Sequence, residues 1–157
     1  MKIVPLYDHG IIRSVMMHED ILPTIIDDTW GGQAYTPNTA DEIFLGCIVD
    51  GSLIGVYRLH WLTGITLQGH THILKDYRKE HSIESCKKVM AWVLDNVARC
   101  KKIDCYVPRV YPNVRQFLAA CGFKSEGITR SSFMLKGRIY DQDIMGITRD
   151  EMKQEIK

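Results

Sequence analysis

The chain has 157 residues, 45% hydrophobic and 25% charged, with 20 Lys plus Arg against 19 Asp plus Glu and a formal charge of +1. That length fits one domain with a real core, and the even charge argues against a dedicated nucleic-acid binder, which carries a one-sided basic patch. No apolar run approaches the about 20 residues of a membrane helix, and the opening MKIVPLYDHG lacks the apolar stretch of a secretory signal. The five cysteines, Cys47, Cys86, Cys100, Cys105 and Cys121, are scattered among apolar residues with no CxxC pair. They read as buried thiols of a reduced, cytoplasmic protein rather than as a disulfide or zinc framework.

In chain order, Lys2 to Tyr7 reads as a strand. His9 to His18 and Glu19 to Asp28 read as one or two helices broken near Pro23, and Thr29 to Ala40, with Gly31, Gly32, Pro37 and Asn38, reads as a loop. Glu42 to Val49 and Leu53 to Leu62 flank the turn pair Asp50-Gly51, and Ile65 to Leu74 follows Thr63-Gly64, which predicts an antiparallel meander. The period then changes. Ile83, Cys86, Met90, Val93 and Val97 recur every three or four residues, which predicts an amphipathic helix with Ser82 as its N-cap and Glu84 at the positive end of its dipole. Lys102 to Val107 is a short strand, and Pro112 to Cys121 a helix that Gly122 can end in the left-handed conformation. Phe123 to Leu135 and Arg138 to Ile147 form a last hairpin turning at Lys136-Gly137, and Arg149 to Lys157 is a charged tail. The order β-α-α-β-β-β-α-β-α-β-β predicts an α+β fold: a mostly antiparallel sheet with one parallel strand pair and helices on both faces. Residues 1–150 make a single domain, with 151–157 as its tail.

Several polar residues carry candidate chemistry. QGHTHIL puts His70 and His72 on one face of their strand, with His60 on the neighbouring strand. Imidazole suits a general base; a cross-strand polar patch facing solvent is the alternative, and a three-histidine metal site has no other support, so no metal is expected. DDTWGGQAYTP offers Asp27, Asp28 and Trp30 either as a cation-binding group or as an ordinary helix end with a packing anchor. Trp61 and Trp92 read as core or cleft wall. Asp141 and Asp143 share a face of the last hairpin, as a carboxylate pair or as solvent-facing residues.

Three segments carry a family resemblance. DYRKEHSIES before the long helix, CGFKSEG after the last core helix and GRIYDQDIMGITRDEM near the end resemble, in that order, the GNAT superfamily of N-acetyltransferases. The resemblance covers roughly residues 2–150. It implies two parallel strands that splay at a bulge to admit acetyl-CoA, with Ile73 and Leu74 on the pantetheine strand. Arg78 to Ser82 would be the pyrophosphate loop, where Arg78, Lys79 and His81 supply charge and Ser82 a hydroxyl at a helix N-terminus. Asp28 and Trp30 would lie on the acceptor side, and His70 or His72 would act as base.

The chain departs from the family pattern in two places. Its loop Arg78-Lys79-Glu80-His81-Ser82-Ile83 has no glycine to let the backbone approach phosphates. The family's acidic tyrosine position is Leu118, leaving Tyr111 at the helix entrance as a substitute. The implied activity is acyl-CoA-dependent N-acetylation of a small amine or a protein N-terminus. The other reading rests on similar glycine-poor loops in acetyltransferase-like proteins of tailed phages. It is a non-catalytic protein of this fold, with phage structural proteins as partners in virion head assembly in the host cytoplasm.

Overall fold

In the computed structural model, which describes residues 1–157, the strands are β1 (Lys2–Pro5), β2 (Glu42–Val49), β3 (Ser52–Trp61), β4 (Thr66–Ile73), β5 (Lys102–Pro108), β6 (Lys124–Leu135) and β7 (Arg138–Thr148). The helices are α1 (His9–Met16), α2 (Leu22–Ile25), α3 (Lys75–Asn96), α4 (Pro112–Ala120) and α5 (Arg149–Glu155). One seven-stranded sheet runs β1-β2-β3-β4-β5-β7-β6. Only β4 and β5 are parallel, as the crossover through α3 requires. Both expected hairpin turns form: Asp50 and Gly51 take φ of 49° and 81°, and Lys136 and Gly137 take 52° and 70°, the left-handed pairs of two-residue hairpins. Gly122 ends α4 at φ 90°, and Phe123 returns an N–H to Leu118 O across that turn.

Alternation along the strands sends side chains to two layers. On one face Ile12, Val15, Met16 and Ile21 pack against Phe44 and Val56. On the other, α3 sets Cys86, Val89, Met90 and Val93 against Leu45, Leu59, Leu67 and Ile103, joined by Leu118 of α4 and Met152 of α5. All five cysteines are free and buried. No helix is long and apolar enough to cross a membrane.

Three elements differ from the sequence reading. Of Glu19 to Asp28 only Leu22–Ile25 is helical, a single turn with Pro23 at its start, where a missing N–H costs nothing. The charged tail is α5, nucleated by a capping box. Thr148 Oγ1 accepts from Glu151 N, and the Glu151 carboxylate accepts from Thr148 N. α5 buries Met152 completely, a contribution of about 1.5–3 kcal/mol. Finally, α3 begins at Lys75, two turns before Ser82. Lys75 to His81 contains no glycine or proline to stop a helix, and the cap comes from elsewhere in the chain.

Candidate cofactor cleft and acceptor face

The parallel pair β4–β5 is matched over three positions only: Thr66 with Lys102, Leu67 with Ile103 and Gln68 with Asp104. Beyond them β4 stays on β3 as far as Ile73, and β5 stays on β7 as far as Pro108. The sheet therefore opens into a V. Leu62 donates to Thr66 O and Leu74 to Ile54 O, so the even residues of β4 spend their backbone groups on β3. On the odd residues, the Gly69 carbonyl, both groups of Thr71 and the Ile73 N–H face the V, since the Gly69 N–H completes the match with Asp104 and Arg78 Nε takes Ile73 O. By the same logic, Arg149 N on Lys101 O and Arg109 N on Asp141 O commit the odd residues of β5 to β7 and leave Tyr106 facing the gap. Unmatched peptide groups on a strand edge are what an extended ligand with its own amides can pair with. The β3–β4 register has no shift along its whole length, so the bulge implied by the family resemblance is absent: the V opens by divergence of two regular strands.

Behind the V the core closes. A cavity of about 20 Å³ lies among Gly69, Thr71, Cys105, Leu118 and Phe123, room for about one water. Burial pushes the Cys105 thiol, which lies beside the Gly69 amide, up to about 12, so it stays protonated at neutral pH and is no nucleophile. Tyr57 Oη meets Ser85 Oγ at 2.9 Å in the same layer, and burial raises its pKa as well.

The start of α3 is occupied by a side chain of the chain itself. Asp20, from the α1–α2 connection, accepts Lys75 N through Oδ2 at 2.9 Å. Arg78 Nη2 donates to Asp20 O at 2.8 Å, and Arg78 Nε donates to Ile73 O at 2.7 Å. Arg78 thus staples the last peptide group of the cleft strand and the α1–α2 connection to the first turn of α3. The segment Arg78 to Ser82 is helix interior, not a loop. Ser82 caps nothing; its carbonyl accepts from Ser85 Oγ at 2.9 Å. Lys79 is exposed on the helix surface, while His81 stacks obliquely on Tyr77, ring centroids 6.0 Å apart.

The opposite face of β3 and β4 carries a histidine ladder. Rings of His60 and His70 stack at 5.3 Å, and those of His70 and His72 at 6.4 Å. The solvent-facing alternative is corrected in part: His72 is 8% exposed, and His70 Nε2 and His60 Nδ1 are sealed from water with no partner. Burial, then the neighbouring His72 and Arg58, push His70 down to about 3. Burial, then Arg58 and Arg78, push His72 down to about 4. Both are neutral at pH 7. An imidazole this reluctant to take a proton is a poor base for an ammonium group but a competent hydrogen-bond partner. Arg58, opposite His70, is held by both oxygens of Glu42.

Other sequence candidates sit apart. Both oxygens of Asp28 are used on the β6–β7 turn, accepting Lys136 N at 2.7 Å and Gly137 N at 2.6 Å, so Asp28 anchors a hairpin. Trp30 is half-buried in the same connection. The ring of Tyr111 packs edge-on against Phe133 of β6, centroids 6.4 Å apart, two strands from the cleft in sheet order; burial raises its pKa. Asp143 is buried and bound by Arg109, with Arg115 at 3.7 Å, which corrects its reading as a solvent-facing residue. Asp20, Tyr57 and Arg58 carry no local sequence signal.

Strand order, the single parallel pair and the V between its members are together the GNAT acetyltransferase fold. Among solved structures of that class, a point mutant of spermidine N-acetyltransferase SpeG from Vibrio cholerae matches at TM-score 0.80 and 16% identity, covering 100% of both chains. The crystal structure of the Vibrio cholerae enzyme in complex with CoA and spermine matches at TM-score 0.78 and 16% identity over 97% of each chain. A chimera of SpeG with hSSAT matches at 0.79 and 16%, over 98% of this chain and 99% of the other. At such identity the likeness speaks for the fold. No protein-family model matches the sequence, and neither does any curated protein.

Proposed function

We propose that the protein is an acyl-CoA-dependent N-acetyltransferase acting on a small amine. The observation that carries this reading is the V between β4 and β5, whose walls offer the peptide groups of Gly69, Thr71, Ile73 and Tyr106. When bound, acetyl-CoA would supply an activated thioester carbonyl. The pantetheine arm has two amides, which suit the unmatched groups of Thr71 and the N–H of Ile73, whose carbonyl Arg78 holds. The Cys105 thiol behind the V is too weakly acidic to take up an acyl group, which supports direct attack by the amine. Because His70 and His72 are neutral and buried in the opposite face, the proton of the attacking ammonium would leave to water. The sheet neighbours, which include an enzyme solved with CoA and spermine, support the same donor and an amine acceptor.

The anion end fits less well. The diphosphate of CoA would find helix where a loop is expected, and the Asp20 carboxylate at the terminus. This mismatch favours a second reading: a non-catalytic protein that keeps the fold, of the kind used in head assembly of a tailed phage. Isothermal titration with acetyl-CoA separates the two. Saturable heat followed by acetylation of an added polyamine supports the enzyme. No heat at millimolar donor, with co-purification of a capsid protein, supports the second.

A further inference from the structure

The V has two walls at its open end. α3 follows β4 and α4 follows β5, and both helices pack on the same face of the sheet, through Cys86, Val89 and Leu118. A donor stretched along the V therefore has one wall on either side of its anion end. On the β4 wall that position is taken. The Asp20 carboxylate holds Lys75 N, and Arg78 spends Nε and Nη2 on Ile73 O and Asp20 O.

The β5 wall carries cations with donors to spare. Asp143 of β7 pairs with Val107 and lies two residues before Met145, hence on the α3 side, where it is buried. Arg109, just past the end of β5, donates to Asp143 Oδ1 from Nε at 3.1 Å and from Nη2 at 2.9 Å. Arg115, early in α4, brings Nε to 3.7 Å from Asp143 Oδ2. Both side chains stay about half exposed, 47% for Arg109 and 54% for Arg115. Two guanidinium groups share one buried carboxylate, so one positive charge is left over. Arg109 Nη1 and the two terminal nitrogens of Arg115 make no hydrogen bond within the protein. A guanidinium fixed through one edge presents its remaining N–H groups in the fork that suits phosphate oxygens.

The spacing along the strand agrees. Gln68 and Asp104 are the last matched pair and mark the closed end of the V. Arg109 lies five residues beyond Asp104, about 16 Å at the rise of a strand. An extended pantetheine arm has a reach of that order, so a thioester at the closed end leaves the diphosphate beside Arg109.

We propose that the diphosphate of the acyl donor is held on the β5 wall by Arg109 and Arg115, with Asp143 orienting both guanidinium groups, and not on the start of α3. The inference rests on the acyl-transfer reading and accounts for its mismatch at the anion end.

Isothermal titration of the full chain with acetyl-CoA, and with S-acetylpantetheine, which keeps the arm and lacks the diphosphate, tests it. Arg115→Gln, at an exposed position, weakens acetyl-CoA binding about tenfold and makes it less sensitive to salt. Arg115→Lys, which keeps the charge and loses the fork, weakens it less. Neither change alters the affinity for acetylpantetheine. Arg109→Gln, with folding checked by its thermal midpoint, weakens acetyl-CoA binding in the same way. The inference alone is overturned if Arg115→Gln binds acetyl-CoA as the parent does, if acetylpantetheine loses as much affinity as acetyl-CoA, or if Lys79→Gln on α3 weakens binding in place of Arg115→Gln. Failure of both ligands to bind the parent overturns the acyl-transfer reading and the inference with it.

Discussion

On the α3 side of the central strands, Tyr57, Leu59, Leu67 and Cys105 meet Cys86, Val89 and Met90. On the other side β3 and β4 carry Arg58, His60, His70 and His72, with His60 Nδ1 and His70 Nε2 buried without a partner. The first face is held by dispersion and apolar burial, and its titratable groups are shifted up, out of the physiological range. The second stays neutral because its histidines are shifted down. The difference teaches that one sheet can be indifferent to pH on one side and acid-labile on the other.

The largest expected effect is on the histidine face. The folded values of about 3 for His70 and about 4 for His72 lie below the unfolded value near 6.5, so between these limits the unfolded chain holds more protons. Stability is full above about pH 6.5 and falls as pH drops toward the folded values. From pH 7 to pH 5 each histidine removes about 2 kcal/mol, read by urea unfolding at both pH values. His72→Gln should remove about half of that slope. A pH-independent midpoint in the parent would erase the contrast between the faces.

On the apolar face, Leu67→Ala deletes a side chain with no exposed surface. It should cost about 3 kcal/mol, and by the same amount at pH 5 and pH 7. A cost that changed with pH would mean that the two faces are coupled.

Asp20→Asn sharpens the comparison where the faces meet, at the start of α3. Losing the carboxylate should cost up to about 1 kcal/mol of stability, yet acetyl-CoA should bind more tightly, because the helix terminus no longer holds an anion. Thr148→Ala, at the capping box of α5, should cost a similar amount with no change in binding. Equal affinity in parent and Asp20→Asn would remove Asp20 as a competitor for the phosphate position.

The same two helix starts show what could be read from sequence. The hairpins at Asp50-Gly51 and Lys136-Gly137 and the stop at Gly122 were legible because left-handed residues announce themselves within a few positions. The α5 box was legible too, as Thr148 followed by Glu151, but the surrounding charge made the segment look like a free tail. The start of α3 was not legible: its cap, Asp20, lies 55 residues away, and no local signal in DYRKEHS marks Lys75. Asp28 looked like a ligand-facing acid because nothing near it in sequence shows the hairpin tip, 108 residues on, that uses it. The shared face of His70 and His72 followed from period two alone; their burial depends on neighbours that periodicity does not see.

Backbone amide shifts recorded while acetyl-CoA is added test the central claim most directly. The account predicts saturable movement centred on Gly69, Thr71, Ile73 and Tyr106, the groups lining the V, with Lys75 following as the Asp20 contact is disturbed. Saturation of the protein with no change at those amides, or no binding at millimolar acetyl-CoA, would contradict it.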